Sequence, residues 1–545
     1  MRNGDVAGPA HHDIVILGTG TVASALAAVL VRHGVKVVMA GDEAHPAAGL
    51  DEMGAEVTRH LRVLGARYKV PEFQRFAAFE PLLAELPAPL GAELCHSFVY
   101  QRPGRSPEPS EVMQVSMPAK APPEPNLRRP ALDRRLREVA ESLGASVRTG
   151  AKVARVSVAD GVVTVTDVDG ERLTADYLVD ASGPGSVFLT DRRLIEPGSR
   201  FTTRTRSLYA RLAGGRPMEE VMRPAKAYGK AASWTGGSTH HLFAGGYLRA
   251  IPFGNHPGAA ARSTGVTLTL DADLHPEQGA PQEQFAEFLS RYPALAEQFE
   301  GAEPVEPWVS TGRHQHSVSH TVGHRWCVIG DAAGYVDPFN SRALAAGLGA
   351  VNMLAWRLLE AVRDGDYATE RFEPLDRFTR RSLNANDDLT AMLTASLCDA
   401  ALAKSALYVL QAGFRFGGFP ALDAYGQLLA TGSDAAFREL EKAPYPGSLF
   451  PTHAGYQRLF TTAAAECAAV ASGRAEAAEA AGRVFAAVRE ADFVPAVLGL
   501  DDPATRFVRL TPATVLRLVL WSFTRAPDDL GPLVRRGLRI ALRGR

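Results

Sequence analysis

Two glycine-containing segments, far apart in the chain, carry residue types that bind diphosphates and sugar hydroxyls. The first is Gly18-Thr-Gly20-Thr-Val-Ala23, between a short apolar run and a helical pattern. In a G-x-G-x-x-G/A turn the small residues allow a tight bend, a close approach to a pyrophosphate and close helix packing. The second is Gly330-Asp331, after the apolar run 326–329. Amides at a helix start can hold phosphate, and a carboxylate can accept a ribityl hydroxyl.

The two segments together indicate a cofactor that neither indicates alone. Gly330-Asp331 by itself is equally compatible with a surface turn in which the aspartate caps a helix. Paired with the first glycine turn, it predicts a fold that binds FAD. A further apolar strand that ends in Asp180-Ala-Ser-Gly supports this prediction. The second strand of such folds usually ends in an acidic ribose ligand; here Gly41 stands there, and Asp42 is the candidate if the turn brings it into reach.

The surrounding pattern predicts the elements that position these residues. Residues 13–40 are typical of a β–α–β unit, and the composition becomes helical from Leu344 onward. Asp160-Gly161 predicts a hairpin turn. We predict strands at 13–17, 35–40, 96–102, 146–149, 153–158, 162–167, 176–180, 242–252, 265–270 and 326–329, and helices at 22–33, 52–69, 131–143, 461–490 and 534–545, with a small-residue helix directly after Gly330-Asp331.

Composition and charge limit the class of partner. The chain has 545 residues, is 46% hydrophobic and carries a net charge of −1, which argues against nucleic acid or a membrane surface as the main partner. No apolar run approaches the length of a membrane span, and the polar start predicts no secretory signal. Neither the histidine nor the cysteine spacing predicts a metal site. We therefore expect a cytoplasmic protein whose four separated cysteines, Cys95, Cys327, Cys398 and Cys467, are buried thiols.

Several segments together resemble one family, the FAD-dependent halogenases of bacterial specialised metabolism, most closely the tetracycline-chlorinase type. The similarity extends from end to end of the chain. The segments that carry it are 70–72, 98–104, 177–183, 239–256, 308–313, 321–323, 330–344, 444–447, 491–495 and 502–503.

The resemblance implies an α/β fold, in which an FAD-binding Rossmann-like domain carries an inserted antiparallel substrate sheet and is followed by a helical C-terminal region. We expect the FAD-binding core over 1–360, with the substrate sheet in about 70–130 and 190–310, and the helical domain over 361–545. Arg129 and Asp133 fall on the family's R-x-x-x-D helix near the flavin. The expected FAD-binding residues are Gly18, Gly20, Ala23, Asp42, Arg129, Asp133, Asp180, Gly330, Asp331 and Ala343.

The sequence departs from the family where the resemblance places its chemistry. In these enzymes reduced flavin and oxygen convert halide to hypohalous acid, which reaches an essential lysine beside the substrate. Glu93 stands in the place of that lysine. A carboxylate cannot form a haloamine, and it donates a proton at neutral pH only if its pKa is strongly raised. The alternative is that Lys69 or Lys120 supplies the amine from another segment.

Other family motifs are changed as well. The W-x-W-x-I-P motif reads Tyr247-Leu-Arg249-Ala-Ile-Pro, so that Arg249 is either a buried substrate clamp or a surface residue. The last glycine of the halide motif F-x-x-P-x-x-S-x-G is Ala343, and a flavin-facing glycine is Asp51. His240-His241 precedes a strand, which favours a structural role over a catalytic one.

These departures lead to several hypotheses about function. The first is a tailoring enzyme for a polyketide-type metabolite, with Glu93, Arg249 and Tyr247 as catalytic candidates, that no longer halogenates. Two reactions are compatible with this hypothesis: non-redox cyclisation beside a structural or weakly bound FAD, and halide-free flavin oxidation. We favour cyclisation. The alternatives are a working halogenase and a non-catalytic scaffold in a biosynthetic complex. The expected partners are a small-molecule substrate, either free or bound to a carrier protein, and a flavin reductase if the FAD is redox-active.

Overall fold

The computed structural model describes residues 11–41, 53–86, 90–117, 121–197, 200–230 and 232–543. The strands are β1 His11–Leu17, β2 Val37–Gly41, β3 Gly91–Glu93, β4 Cys95–Tyr100, β5 Val112–Ser116, β6 Glu124–Asn126, β7 Ser146–Thr149, β8 Val153–Ala159, β9 Val162–Asp167, β10 Arg172–Asp180, β11 Thr205–Ala213, β12 Thr239–Phe243, β13 Gly246–Phe253, β14 Ser263–Asp271, β15 Glu303–Pro304, β16 Val309–Arg313, β17 His316–Ser317, β18 Val322–Gly323, β19 Trp326–Val328, β20 Gly334–Tyr335 and β21 Phe507–Val508. The helices are α1 Thr21–Arg32, α2 Gly54–Arg67, α3 Pro71–Phe76, α4 Phe79–Glu85, α5 Arg129–Ser142, α6 Val187–Asp191, α7 Met218–Val221, α8 Ala225–Tyr228, α9 Pro281–Ser290, α10 Pro293–Gln298, α11 Arg342–Asp364, α12 Thr369–Ser396, α13 Ala400–Phe416, α14 Phe419–Thr431, α15 Ala435–Leu440, α16 Ala454–Ala471, α17 Ala477–Glu490, α18 Pro512–Thr524 and α19 Leu530–Arg543.

The first sheet brings the glycine turns together. Its order is β18-β19-β10-β1-β2-β7, and the strands from β19 to β7 are parallel. Strands buried on both faces read as continuous apolar runs, which is why β1 and β2 could be predicted. The carboxyl ends of β1, β10 and β19, at Leu17, Asp180 and Val328, lie at one edge of the sheet. Ligands bind at this edge in open α/β sheets.

The second sheet carries the predicted substrate face. Its order is β15-β11-β14-β13-β12-β4-β5-β21, with β16 paired to β11. Side chains alternate between its two faces. One face, with Leu248 and Leu268, packs against Phe285 and Phe288 of α9. The other carries Phe98, Tyr100, Leu242 and Tyr247 and packs against Leu389 and Leu393 of α12 and Leu407 of α13.

The C-terminal region is helical, as predicted, and it also contributes to this sheet. Helix α13 is buried over most of its length, and it packs against α16 and α17. The short β21 returns to the substrate sheet and pairs in parallel with β5, Val508 opposite Val115. The helical region is therefore attached to the second sheet through its backbone as well as through its core. The predicted division at residue 360 stays a prediction, because α11 runs through that position.

Four structural predictions were wrong. The run 242–252 is not one strand: β12 and β13 form a hairpin that turns at Gly245, whose φ is +89°. The alanine-rich run 461–490 is two helices that end and begin around Gly473, whose φ is +69°. Gly330-Asp331 opens a single 3-10 turn, and the long helix α11 begins only at Arg342. Cys398 is exposed, whereas Cys95, Cys327 and Cys467 are buried.

Candidate functional site

Gly18 marks the point where three strand ends meet. Its φ is +102°, and a Cβ atom built on it would lie 2.5 Å from the carbonyl oxygen of Ala181, which follows β10. A Cβ on Gly41, at the end of β2, would lie 3.0 Å from the Cα of Gly18. This arrangement leaves a side-chain-free cradle in front of the first turn of α1, whose N–H groups lack intrahelical acceptors. It fits the diphosphate of a dinucleotide such as FAD.

Arg129 and Asp133 tie helix α5 to the start of α1. The Asp133 carboxylate accepts hydrogen bonds from the Thr21 N–H (2.6 Å), the Thr21 hydroxyl (2.5 Å) and the Arg129 Nε (2.9 Å). Burial lowers the pKa of Arg129, but the Asp133 and Asp331 carboxylates outweigh burial and the pKa is raised. Arg129 is therefore a fixed cation between the two predicted flavin segments, as the R-x-x-x-D motif implied.

Asp331 and Asp180 occupy different environments. Asp331 lies in the turn that starts at Gly330 (φ +62°), and its main-chain oxygen is 2.8 Å from the His316 Nε2. Asp180 is fully buried and accepts from the Ser182 N–H (3.0 Å), the Ser182 hydroxyl (2.6 Å) and the Ser186 hydroxyl. Burial raises the pKa of Asp180 and these bonds oppose the rise. Its side chain fixes the turn that faces Gly18, so any effect on the cofactor is through that turn.

Four further residues were predicted to bind the cofactor: Gly20, Ala23, Asp42 and Ala343. Gly20 and Ala23 lie at the N-cap and in the first turn of α1, as expected. Asp42 lies outside the described residues, as does Asp51. Ala343 lies in the first turn of α11, where helical φ and ψ values suit alanine, so the missing glycine causes no backbone strain. The residue with a left-handed backbone conformation is Ser341, two residues before Ala343, with a φ of +53°. This was not predicted from the sequence.

Tyr247 is held by a carboxylate that was not predicted from the sequence. Its hydroxyl donates to Asp337 (2.5 Å), which also accepts from the Thr205 hydroxyl (2.7 Å) and the Phe339 N–H (3.0 Å). Burial raises the pKa of both Tyr247 and Asp337. The available signal was Asp337 itself, an acidic residue directly before the motif's Pro338 in an apolar run. Tyr247 thus anchors the halide-motif segment to the substrate sheet.

Arg249 is buried, with 1% of its surface exposed, so it is not the surface residue of one alternative. Its Nη1 is 3.5 Å from the carbonyl oxygen of Pro338. It lies directly opposite His240 across the β12–β13 hairpin. Burial raises the pKa of Tyr335, and the positive charges of Arg249 and Arg129 lower it by a smaller amount. The segment from Asp331 to Pro338 therefore joins the predicted flavin turn to the substrate sheet, where Asp337 binds Tyr247 and Pro338 lies against Arg249.

Glu93 is 2% exposed and lies on β3, which pairs with β6. Its carboxylate accepts from the Ser238 N–H (2.7 Å), the Ser238 hydroxyl (2.5 Å) and the Asn126 side-chain amide (2.8 Å). The Nδ1 of His96 lies 3.7 Å from its Oε1. Glu93 is thus a bound carboxylate acceptor rather than a replacement for an amine.

The two lysines offered as replacements differ in position. Lys69 is exposed at the end of α2, where its carbonyl accepts from Arg32. That is a poor position for an amine that has to meet a substrate in a buried pocket. Lys120 lies outside the described residues. Before its segment, the Met117 N–H donates to the carbonyl oxygen of Leu94. After it, Glu124 pairs with Glu93 across β3 and β6.

Aromatic rings line the same face of the substrate sheet. His240 stacks on Phe98, with ring centroids 4.9 Å apart and 18° between planes, and lies 6.1 Å from both His96 and Phe339. Burial lowers the pKa of His240 well below its usual value, so this ring is neutral. The next residue, His241, points to the opposite face and its Nδ1 lies 3.0 Å from the Gln101 amide nitrogen. The two imidazoles thus lie on opposite faces of β12, and their structural role stays a prediction. No group of three potential metal ligands occurs among the described residues.

A pH dependence follows from the half-buried imidazole of His314, which lies 5.1 Å from the Tyr335 ring. Burial and the neighbouring His316 lower its pKa to about 4. The unfolded state, with an imidazole pKa of ~6.5, binds a proton between pH 6.5 and 4 that the folded state does not. Stability therefore falls as the pH falls through this window. We expect His314→Gln to reduce the loss of unfolding free energy between pH 7.5 and 5 by about 2 kcal/mol.

Urea denaturation at pH 7.5 and 5 measures this effect. The matched control is His324→Gln, because His324 is exposed in the turn between β18 and β19. Equal pH dependence in the wild type and His314→Gln would contradict the assignment.

Comparisons with known proteins agree with this geometry. The model of the FAD binding domain family matches residues 11–373. The monodechloroaminopyrrolnitrin halogenase PrnC of Pseudomonas fluorescens is 32% identical over 531 residues, which cover 95% of this chain and 93% of the relative. The tetracycline 7-halogenase of Kitasatospora aureofaciens is 32% identical over 515 residues, covering 94% of this chain and 92% of the relative.

Solved structures give the same fold. The crystal structure of the halogenase PltM in complex with phloroglucinol and FAD superposes with a TM-score of 0.87 at 23% identity, covering 92% of this chain and all of PltM. The halogenase CndH covers 71% of this chain with a TM-score of 0.55. Within the described residues no helix is long and apolar enough to cross a membrane.

Proposed function

Because this chain belongs to the flavin-dependent halogenases and has their FAD-binding domain, we propose that it halogenates an electron-rich small molecule. The observation that carries the proposal is the chain segment that joins the Asp331 turn to the substrate sheet. It passes through Tyr335, and its residues Asp337 and Pro338 contact Tyr247 and Arg249 of that sheet. The similarity to two halogenases over more than nine-tenths of the chain supports this choice.

The segment 335–341 makes this connection in steps. Tyr335 belongs to β20, which pairs with β17 next to the Asp331 turn. Two residues later Asp337 binds Tyr247, and Pro338 lies against Arg249. Phe339 follows and contacts the His240 ring. A small oxidised species that left the flavin side would meet the substrate sheet along this segment.

The chain's own residues would bind and orient the reactants. Bound FAD, once reduced by a flavin reductase, would activate dioxygen as the oxidant that converts chloride or bromide to hypohalous acid. Phe98, His240 and Phe339 form a buried aromatic cluster on the substrate face of the sheet. Arg249 supplies a buried positive charge near the halide motif, which favours an anion or a phenolate there. A flavin reductase is the partner that such an enzyme needs.

The other hypotheses have weaker support. Halide-free oxidation is favoured by one observation, the carboxylate of Glu93 in the place of the family's lysine. Cyclisation and scaffolding rest on replaced residues alone, whereas the two relatives that match almost the whole chain are halogenases. Binding of the substrate through a carrier protein is a further proposal that the PltM complex with phloroglucinol does not require.

A halide-exchange assay tests the proposal. The purified protein, a flavin reductase, FAD and NADH are incubated with phloroglucinol in chloride, in bromide or without halide, and the products are identified by mass spectrometry. We expect monohalogenated products whose isotope pattern follows the halide. A product that forms equally well without halide would instead support oxidation, and the absence of flavin turnover would contradict both.

A further inference from the structure

We propose that His96, oriented by Glu93, donates the proton that the family's lysine would otherwise donate to hypohalous acid. The proposal rests on the halogenase function above and names the acid for that reaction. His96 is three residues from Glu93 and lies on the same strand as Phe98. Because residues i and i+2 of a strand share a face, His96 and Phe98 both lie on the substrate face.

The environment of His96 suits a proton donor. Its side chain is 27% exposed, whereas Glu93 behind it is 2% exposed. The Glu93 carboxylate is fixed by three donors from Ser238 and Asn126, so its Oε1 keeps a defined position 3.7 Å from Nδ1 of His96. A carboxylate at this distance stabilises an imidazolium through its charge, and an imidazolium can donate a proton near neutral pH.

The charged and titratable groups around His96 come from four strands. Glu93 lies on β3, and Glu124 pairs with it from β6. His240 of β12 has its ring 6.1 Å away, and Arg249 of β13 lies opposite His240. The Arg249 cation disfavours a proton on His96, the neutral His240 ring adds no charge, and the Glu93 carboxylate favours the proton. The charge on His96 is therefore sensitive to the loss of Glu93.

The other polar side chains of this face are less suitable. The His240 ring is fully buried and neutral. The Tyr247 hydroxyl donates to Asp337. Arg249 does not release a proton at any ordinary pH. Of these four side chains, His96 combines partial exposure, a position on the substrate face and a fixed carboxylate partner.

The reaction step is balanced without a further reactant. Hypohalous acid places its halogen on an electron-rich ring carbon, so that a carbon–halogen bond forms and the oxygen–halogen bond breaks. His96 gives its proton to the departing hydroxide, which leaves as water. The ring carbon then loses its proton, which neutral His96 takes up again. The net change is the exchange of a ring hydrogen for halogen, with one water formed.

The experiment separates this step from halide oxidation. Wild type, His96→Gln and Glu93→Gln holoenzymes are assayed with a flavin reductase and bromide over a range of pH. One assay follows bromination of phloroglucinol; another follows bromination of free monochlorodimedone, which traps hypobromous acid directly. Failure of the wild type in both assays would refute the halogenase function itself. The matched control is His324→Gln, at an exposed turn, and Lys120→Ala tests the alternative that a lysine supplies the amine.

We expect His96→Gln to trap hypobromous acid at the wild-type rate but to brominate phloroglucinol about 100-fold more slowly, the lower range for general acid catalysis. Glu93→Gln should move the alkaline limb of the phloroglucinol profile to lower pH, because the imidazolium loses its carboxylate. The proposal is overturned if His96→Gln brominates phloroglucinol within twofold of the wild-type rate. It is also overturned if the rates of phloroglucinol bromination and of hypobromous acid trapping fall together in this variant, or if Lys120→Ala alone abolishes bromination.

Discussion

Gly18→Ala is expected to yield a protein that folds poorly or that no longer retains FAD. The new Cβ would lie 2.5 Å from the Ala181 carbonyl oxygen, at a residue whose φ of +102° disfavours any side chain. The atoms that this Cβ would meet are backbone atoms of Ala181 and Ser182, directly after β10. They cannot move away without opening the cradle. We expect the FAD affinity of any soluble variant to fall at least about 100-fold, roughly 2.7 kcal/mol.

The control for this prediction separates the clash from the strain. Gly34 also has a positive φ, of +84°, but a Cβ there meets nothing within 4 Å. Gly34→Ala should therefore cost only about 1–2 kcal/mol of stability and leave FAD binding unchanged. Flavin fluorescence titration and urea denaturation measure the two quantities. Wild-type affinity in Gly18→Ala would show that the cofactor does not approach this turn.

Glu441→Ala is expected to destabilise the fold strongly. The Glu441 carboxylate lies 2.7 Å from Nη2 of Arg357, and the two side chains are 9% and 6% exposed. It also accepts from the Trp356 indole N–H (2.9 Å). Removing one partner of a buried ion pair leaves the other charge uncompensated, at a cost of about 3–5 kcal/mol. Since two carbonyl oxygens still bind Arg357, we expect the lower end, about 3 kcal/mol.

A neighbouring pair provides the control. Lys442 and Glu439 also lie 2.7 Å apart, but both are more than 70% exposed. Glu439→Ala should change the free energy of unfolding by no more than about 0.5 kcal/mol. Chemical denaturation of both variants at one pH compares two ion pairs of equal length and different burial. Similar losses of unfolding free energy in both variants would show that burial does not decide the strength of these pairs.

The parts of the site that the sequence predicted well are those defined by local geometry. Gly18 and Gly330 have positive φ values, and the apolar strands before them are buried on both sides, so each turn carries its own signal. Helix α5 also places Arg129 and Asp133 four residues apart on one face. These features depend on neighbours within a few residues, which a single sequence contains.

The parts that were missed depend on distant partners. Glu93 is held by Asn126 and Ser238, which are 33 and 145 residues away, and Tyr247 is held by Asp337, 90 residues away. Such contacts are set by how the sheets meet. The hairpin at Gly245 was missed for a different reason: an almost unbroken apolar run from 242 to 252 conceals a turn with only two glycines as a signal.

The parallel pairing of β21 with β5 has a consequence for synthesis. Ser116 and Val508, which contact each other at this pairing, are 392 residues apart. At the ribosomal rate of ~5–20 residues per second, the outer edge of β5 waits roughly 20–80 s for its partner. During that time its backbone N–H and C=O groups are open to other chains. The substrate sheet is thus completed among the last events of each round of translation, and soluble yield should depend on how long a cell protects that edge.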